Sequence, residues 1–433
     1  MSGSLDRRSL LLGAGTATVV AGLGAGTIAV AQKSAKPADP FGERDYSTAR
    51  VSTKYRFNDP DMDLFFVIAL AWSDTGGLSP GELFYVAQSI KDGDADSWVT
   101  AFQASGERQD KQADEWKAKG WKRQSAQARF KAFASYRSAW QFAPLGAVFE
   151  SIYAKQQTAF KLAVQDSGLP ATFFKVPYKG KHLPGVFLQN PNKNAPVVLC
   201  LGGADTGYEE TLFTVGRNVF DAGYSVALAD LPGQGITMKD DLHWEMEPEK
   251  PIGAIVDLLV ADFGAKPGHM AMMGYSLGGY WATRAAGHEK RFATVIASTP
   301  FPRPVELVTA SRALYRQMAA SGRRPSTATL RNNAVIYWKA GVPDQDEEQL
   351  EQRLGRFVAD PQIVTVPFLS IVGGGEGNTF QQQSDSWNAE IRSTRKKLVR
   401  LDAATGGADH CQAANRLRLA QEMTGWMDEI FKS

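Results

Sequence analysis

The sequence predicts an α/β protein: a doubly wound sheet preceded by an all-helical N-terminal unit. Three observations carry this. From Ala171 onward, short and nearly continuous apolar runs alternate with segments of helical period, as buried parallel strands and their crossovers do. Before Gly168 the apolar residues recur at helical spacing and no strand signal interrupts them. Between a strand and a helix of the second half stands Gly274-Tyr275-Ser276-Leu277-Gly278.

In chain order, residues 1–31 differ from the rest. Asp6-Arg7-Arg8-Ser9 precedes an uncharged stretch rich in Gly, Ala, Thr and Val, and Ala29-Val30-Ala31 is a small-x-small cleavage signal. This resembles a bacterial twin-arginine export signal and predicts a periplasmic or secreted protein, with no stable membrane insertion once the signal is removed. Residues 32–45 read as a linker. Residues 46–168 form the helical unit, with Leu64, Phe65, Ile68, Ala71 and Trp72 at helical spacing. Ser79-Pro80-Gly81-Glu82 is a helix start, with Ser at the cap, Pro at the first position and Glu at the third. Asp94 to Ala143 reads as one long polar-faced stretch punctuated by aromatics, a stripe expected to be core. Trp140 and Phe142, nearest the sheet in sequence, are expected to pack on the second unit or close over Ser276. In residues 169–433, Thr172–Pro177 and Leu183–Leu188 read as a hairpin. Ala195–Leu201, Ser225–Ala229, Met270–Gly274, Phe292–Ala297, Val366–Val372 and Lys397–Leu401 read as strands. A helical insertion over the C-terminal edge of the sheet is expected at about 299–356.

At 433 residues the chain exceeds one typical compact domain, which accords with two units and a tail. A 43% hydrophobic, 22% charged composition fits a globular protein, and a net charge of +2 gives no electrostatic footprint for nucleic acid or an anionic membrane. Two cysteines are no disulfide framework. Cys200 reads as a small core residue, and Cys411 as a packed or partly exposed thiol beside His410. No Cys/His cluster has metal-ligand spacing.

The Gly-x-Ser-x-Gly pattern has specific mechanics. A serine on a sharp strand-to-helix turn needs small neighbours, its Oγ stands above the sheet, and the following helix points its N-terminus at developing negative charge. Acyl transfer then needs two oxyanion donors. One is the N–H of Leu277. The other belongs to the Gly202-Gly203-Ala204 loop, with Ala204 preferred and Gly203 the alternative. Of five histidines, only His410 follows the last strand, where the base belongs in the order Ser, acid, His. Glu376, three residues after Gly373, is the expected acid. Asp is commoner at such a position, and Asp402 is the substitute. Asp409 is discounted because side chains adjacent in sequence diverge.

These features, together with Tyr208-Glu209-Glu210, Asp230-Leu231-Pro232-Gly233-Gln234-Gly235 and His410-Cys411, resemble an α/β-hydrolase subfamily. It holds 2,6-dihydroxypseudooxynicotine hydrolase, the fungal polyketide-shortening hydrolases and esterases of the fermentation–respiration-switch type. The resemblance covers about Tyr46 to the C-terminus. It implies a helical unit that caps the site and mediates a homodimer, and hydrolysis of an ester or of a carbon–carbon bond beside a ketone in a small-molecule substrate. The chemistry calls for no metal or organic cofactor. A periplasmic peptidase or acyltransferase, and a catalytically silent binding protein on the same fold, are the rival readings.

Overall fold

The computed structural model describes residues 49–432. The expected export signal and linker lie outside them.

Five helices open the described residues: α1 (Pro60–Ala71), α2 (Pro80–Ala87), α3 (Ala95–Ala118), α4 (Lys122–Trp140) and α5 (Ala147–Ser167). Helix α1 is apolar on nearly every side and is correspondingly buried along most of its length. At α2 the expected start is present as a full capping box, with Ser79 and Glu82 bonding each other's backbone N–H. The Asp94–Ala143 stretch is two helices rather than one. It turns at Gly120, whose φ of +79° suits glycine. The two helices then run antiparallel, joined by Trp98 Nε1 to the Ser138 carbonyl (2.7 Å), Ser105 to Ser135 (3.1 Å) and Tyr136 to Asp110 (2.8 Å).

Eight strands follow: β1 (Ala171–Tyr178), β2 (Lys181–Leu188), β3 (Val197–Leu201), β4 (Ser225–Ala229), β5 (Met270–Tyr275), β6 (Thr294–Ser298), β7 (Phe368–Gly373) and β8 (Lys396–Leu401). The predicted strands fall within two residues of these bounds. The sheet order is β1-β2-β4-β3-β5-β6-β7-β8. The β1–β2 hairpin pairs antiparallel onto β4, and all later pairs are parallel. Helices α6 (Tyr208–Thr211), α7 (Arg217–Asp221) and α14 (Arg416–Phe431) pack on one face. On the other lie α8 (Glu249–Phe263), α9 (Leu277–His288) and α13 (Asn378–Glu390). Between β6 and β7 the insertion forms α10 (Val305–Ala320), α11 (Thr327–Ala340) and α12 (Glu347–Leu354).

Alternate residues of β3 feed two cores, as a strand's period of two requires. Val198 and Cys200 face the helical unit, α6, α7 and α14, while Val197, Leu199 and Leu201 face α8 and α9. The helical unit therefore shares a core with the sheet. Phe213, in a π turn between α6 and α7, is its main anchor. It stacks on Phe133 at 4.8 Å and meets Phe130 at 5.5 Å and Trp72 at 6.1 Å. Trp140 and Phe142 belong to this shared core and do not close over Ser276. Trp140 pairs with Phe149 and Tyr153, and Phe142 with Phe65 and Trp98, all within the helical unit. Neither lines the space above Ser276. Among the described residues no helix is long and apolar enough to cross a membrane.

Candidate active site

The C-terminal ends of the parallel strands, where open α/β sheets place their ligands, carry every residue of the site. Ser276 directly follows β5, with φ +57° and ψ −125°. A non-glycine residue holds such a conformation only when its surroundings impose it. Here the Ser276 N–H donates to the Ser298 carbonyl at 2.8 Å, and its own carbonyl accepts from Gly279 N at 2.7 Å. The flanking glycines make the turn sterically feasible. A Cβ at Gly278 would lie 2.6 Å from the Gly202 carbonyl oxygen, and one at Gly274 would lie 2.0 Å from that of Gly278.

His410 follows β8 in a loop that includes Cys411 at φ +53°. Its Nε2 is 3.0 Å from Ser276 Oγ, and Nδ1 is 3.5 Å from Glu376 Oε2. The second contact is not a formed hydrogen bond, since Nδ1 has no hydrogen-bond partner within proper geometry. Such contacts are often long before substrate binds and tighten with it. The imidazole ring packs on Phe380 at 4.7 Å. Burial pulls the imidazole pKa down, while the Cys411 sulfur and the Glu376 carboxylate pull it up; the balance lies above the ordinary histidine value.

Glu376 is fully buried. Thr299 Oγ1 donates to its two oxygens, at 2.7 and 2.9 Å, while the N–H groups of Gly373 and Cys411 donate to Oε1 at 3.3 and 3.2 Å. This leaves Oε2 to face His410. Asp402, the substitute acid, is exposed, and its carboxylate caps a short 3₁₀ turn through Thr405 N at 3.0 Å. It faces solvent instead of the imidazole. Asp409 has a different task. It accepts from Ser52 N (2.7 Å), Ser52 Oγ (2.9 Å) and Tyr55 Oη (2.8 Å). Beside it, His410 N donates to the Arg50 carbonyl at 2.7 Å and Gly377 N to that of Ala49 at 2.8 Å. The first described segment thus stitches the loops of base and acid together.

At the loop after β3, a Cβ on Gly203 would lie 2.7 Å from Ser276 Cβ. The Gly203 carbonyl accepts from Thr206 Oγ1 and Gln234 Nε2, both at 3.1 Å. In a trans peptide the C=O and the next N–H point in opposite directions. Holding the Gly203 oxygen inward therefore aims the Ala204 N–H outward, and Ala204 lines the cavity with Ser276 and Leu277. Of the other histidines, His182 and His288 are exposed, His243 Nδ1 meets the Trp338 carbonyl and His269 Nε2 that of Asn194.

The cavity above Ser276 has a volume of about 600 Å³. Its roof is the insertion, through Leu307, Val308, Leu314, Met318, Ile336 and Leu350 among others. The helical unit and the segment before it contribute only the stretches around 50–61 and 92–93. Thr299, Gln234 and Asp409 were not foreseen as site residues. The first two follow strands β6 and β4, a position that could have flagged them; Asp409 was weighed only as an acid.

The model of the prolyl oligopeptidase family matches residues 213–433. Alpha/beta hydrolase gkaG of Penicillium citrinum is 29% identical over 415 residues, covering 86% of this chain and 96% of the relative. Alpha/beta hydrolase psoB of Aspergillus fumigatus is 30% identical over 250 residues, 53% of this chain; the chain spans only 56% of psoB, and 61–62% of the fungal hydrolyases ccsE and poxO. The solved 2,6-dihydroxy-pseudo-oxynicotine hydrolase superposes with a TM-score of 0.67 at 19% identity, over 84% of this chain and 96% of that one, a likeness of fold. The chain is thus an α/β hydrolase, and it belongs to the prolyl oligopeptidase family.

Proposed function

We propose that the chain is a serine hydrolase that cleaves an ester, or a carbon–carbon bond beside a ketone, in a small and largely apolar substrate. The observation that carries this is the line from Glu376 through His410 to Ser276, with 3.0 Å between Nε2 and Oγ, at the floor of the cavity. His410 takes the Ser276 proton as Oγ attacks the carbonyl carbon. The N–H groups of Leu277 and Ala204 receive the oxyanion. The resulting imidazolium, held by Glu376, protonates the leaving group as its bond breaks, leaving an acyl-serine that water cleaves by the same route. An ester loses an alcohol; a carbon–carbon bond loses a carbanion that a neighbouring carbonyl stabilises as an enolate.

Two rivals fit less well. A peptide chain has little room under three roofing helices, whereas about 600 Å³ lies in the usual range for small-molecule sites. A silent binding protein would keep a buried carboxylate and a strained serine with no use for them. Kinetics on a panel of aryl esters and 1,3-diketones, with Ser276→Ala alongside, tests the reading. Turnover of either class that disappears in the variant supports it, and turnover that survives refutes it. We also propose, from Arg7-Arg8 and the stretch that follows, export by the twin-arginine route.

A further inference from the structure

Most polar groups on the cavity wall are already used. Asp61 receives Arg50 and Thr329, and Asn333 Nδ2 donates to Tyr315 Oη at 3.2 Å. Asn332, on α11, is different. It lines the cavity, and its Oδ1 accepts from Gln141 Nε2 at 2.8 Å. Gln141 is fully buried, and its Oε1 accepts from Arg137 Nη1 at 2.8 Å. Arg137 is itself buried, paired with Glu210 and lying under Trp140 at 4.0 Å from the ring centre.

The polarity of this chain of bonds is fixed at one end. A guanidinium has donors and no acceptor, so the Gln141 atom facing it must be oxygen. Gln141 then presents its NH2 to Asn332, and the Asn332 atom facing Gln141 must be oxygen too. The Asn332 NH2 is what remains for the cavity. A buried ion pair between α4 of the helical unit and α6 of the hydrolase unit thereby sets which end of an amide in the roof meets the substrate.

Resting on the serine-hydrolase reading, we propose that Asn332 determines specificity by donating a hydrogen bond to a second acceptor oxygen of the substrate, apart from the carbonyl that Ser276 attacks. The substrate class is then a carbonyl compound bearing another carbonyl on the same small skeleton, and Arg137 and Gln141 are positioning residues for the donor.

The test uses two esters that differ in one oxygen, an aryl butanoate and the matching aryl 3-oxobutanoate, and reads the ratio of their kcat/KM values. Asn332→Asp keeps the acceptor for Gln141 and replaces the donor by an anionic acceptor. Gln141→Glu changes no cavity atom: its carboxylate stays paired with Arg137 but can only accept, so the Asn332 amide must turn and show oxygen to the cavity. Both variants should lower the oxobutanoate-to-butanoate ratio by about 10- to 100-fold, because a site that loses its donor faces the extra oxygen unpaired. Thermal melts on the same samples establish that each variant is folded. A ratio that stays at the wild-type value in either folded variant overturns the proposal, since an amide that merely packs the roof would move both substrates together. Failure of the wild-type protein to hydrolyse either ester, with no labelling of Ser276 by a fluorophosphonate, would instead refute the hydrolase reading beneath it.

Discussion

Replacing Glu376 by Gln probes the least conventional member of the site, because a Glu stands where Asp is commoner. The surroundings decide how the amide sits. Two backbone N–H groups, of Gly373 and Cys411, point at Oε1, so the amide oxygen goes there and the NH2 occupies the place of Oε2. That group would face His410 Nδ1, now 3.5 Å from a carboxylate oxygen. Two donors would then oppose each other, and the imidazole relieves this by moving its proton to Nε2, where it can no longer accept from Ser276. The charge is lost as well. At that separation and an effective dielectric constant of about 20, the attraction between carboxylate and imidazolium is about 5 kcal/mol, so kcat/KM should fall by roughly 10³-fold. The pH profile gives an independent reading. His410 works as a base only when neutral, so the rate falls as pH drops through its pKa. Glu376 raises that pKa, and its removal moves the acid limb of kcat/KM to lower pH. Asp402→Asn serves as control and should change neither quantity. Full pH–rate profiles of the three proteins on one activated ester supply the measurement. A Glu376→Gln enzyme within tenfold of wild type, or an acid limb that stays in place, would refute this role.

Three further outcomes follow from the same contacts. Asp409→Ala removes three hydrogen bonds to Ser52 and Tyr55; it should cost about 3–5 kcal/mol in a denaturant titration and lower kcat more than it raises KM, because the His410 loop loses its tie. Phe213→Ala strips the ring that joins the helical unit to the sheet and should cost about 3–5 kcal/mol of stability, while the folded enzyme, at low temperature, keeps its pH profile. Replacing Arg7 and Arg8 by Lys should hold precursor inside the cell in a fractionation blot, and unchanged export would rule out the twin-arginine route.

How far the sequence could be read followed how local each feature is. The strands were legible because burial on both faces forces continuous apolar runs. The elbow was legible because its small neighbours are a steric necessity, visible in the 2.6 Å approach at Gly278. Ser276, Glu376 and His410 could be chosen by chain order, and the structure brings these three together. The roof was legible only as an insertion at about 299–356 over the C-terminal edge of the sheet. The aromatics of the helical unit were expected to pack on the second unit or close over Ser276; Phe130 and Phe133 do pack on Phe213, Trp140 and Phe142 sit in the core shared with the sheet, and it is the insertion that covers the cavity. A helical stripe shows that a ring is buried, not what buries it. The use of Asp409, and the chain from Arg137 to Asn332, join residues 357 and 191 positions apart at their widest hydrogen bonds, and no local pattern announces such a meeting.

The central claim is that Ser276 is a nucleophile activated by His410. A fluorophosphonate probe reacts covalently only with an activated serine, and peptide mass spectrometry locates the adduct. The account predicts one adduct, on the peptide containing Ser276. It should be absent in Ser276→Ala and slowed by orders of magnitude in His410→Ala, with both variants folded by circular dichroism. An adduct on another serine, or labelling of Ser276 that proceeds at the wild-type rate without His410, would contradict it.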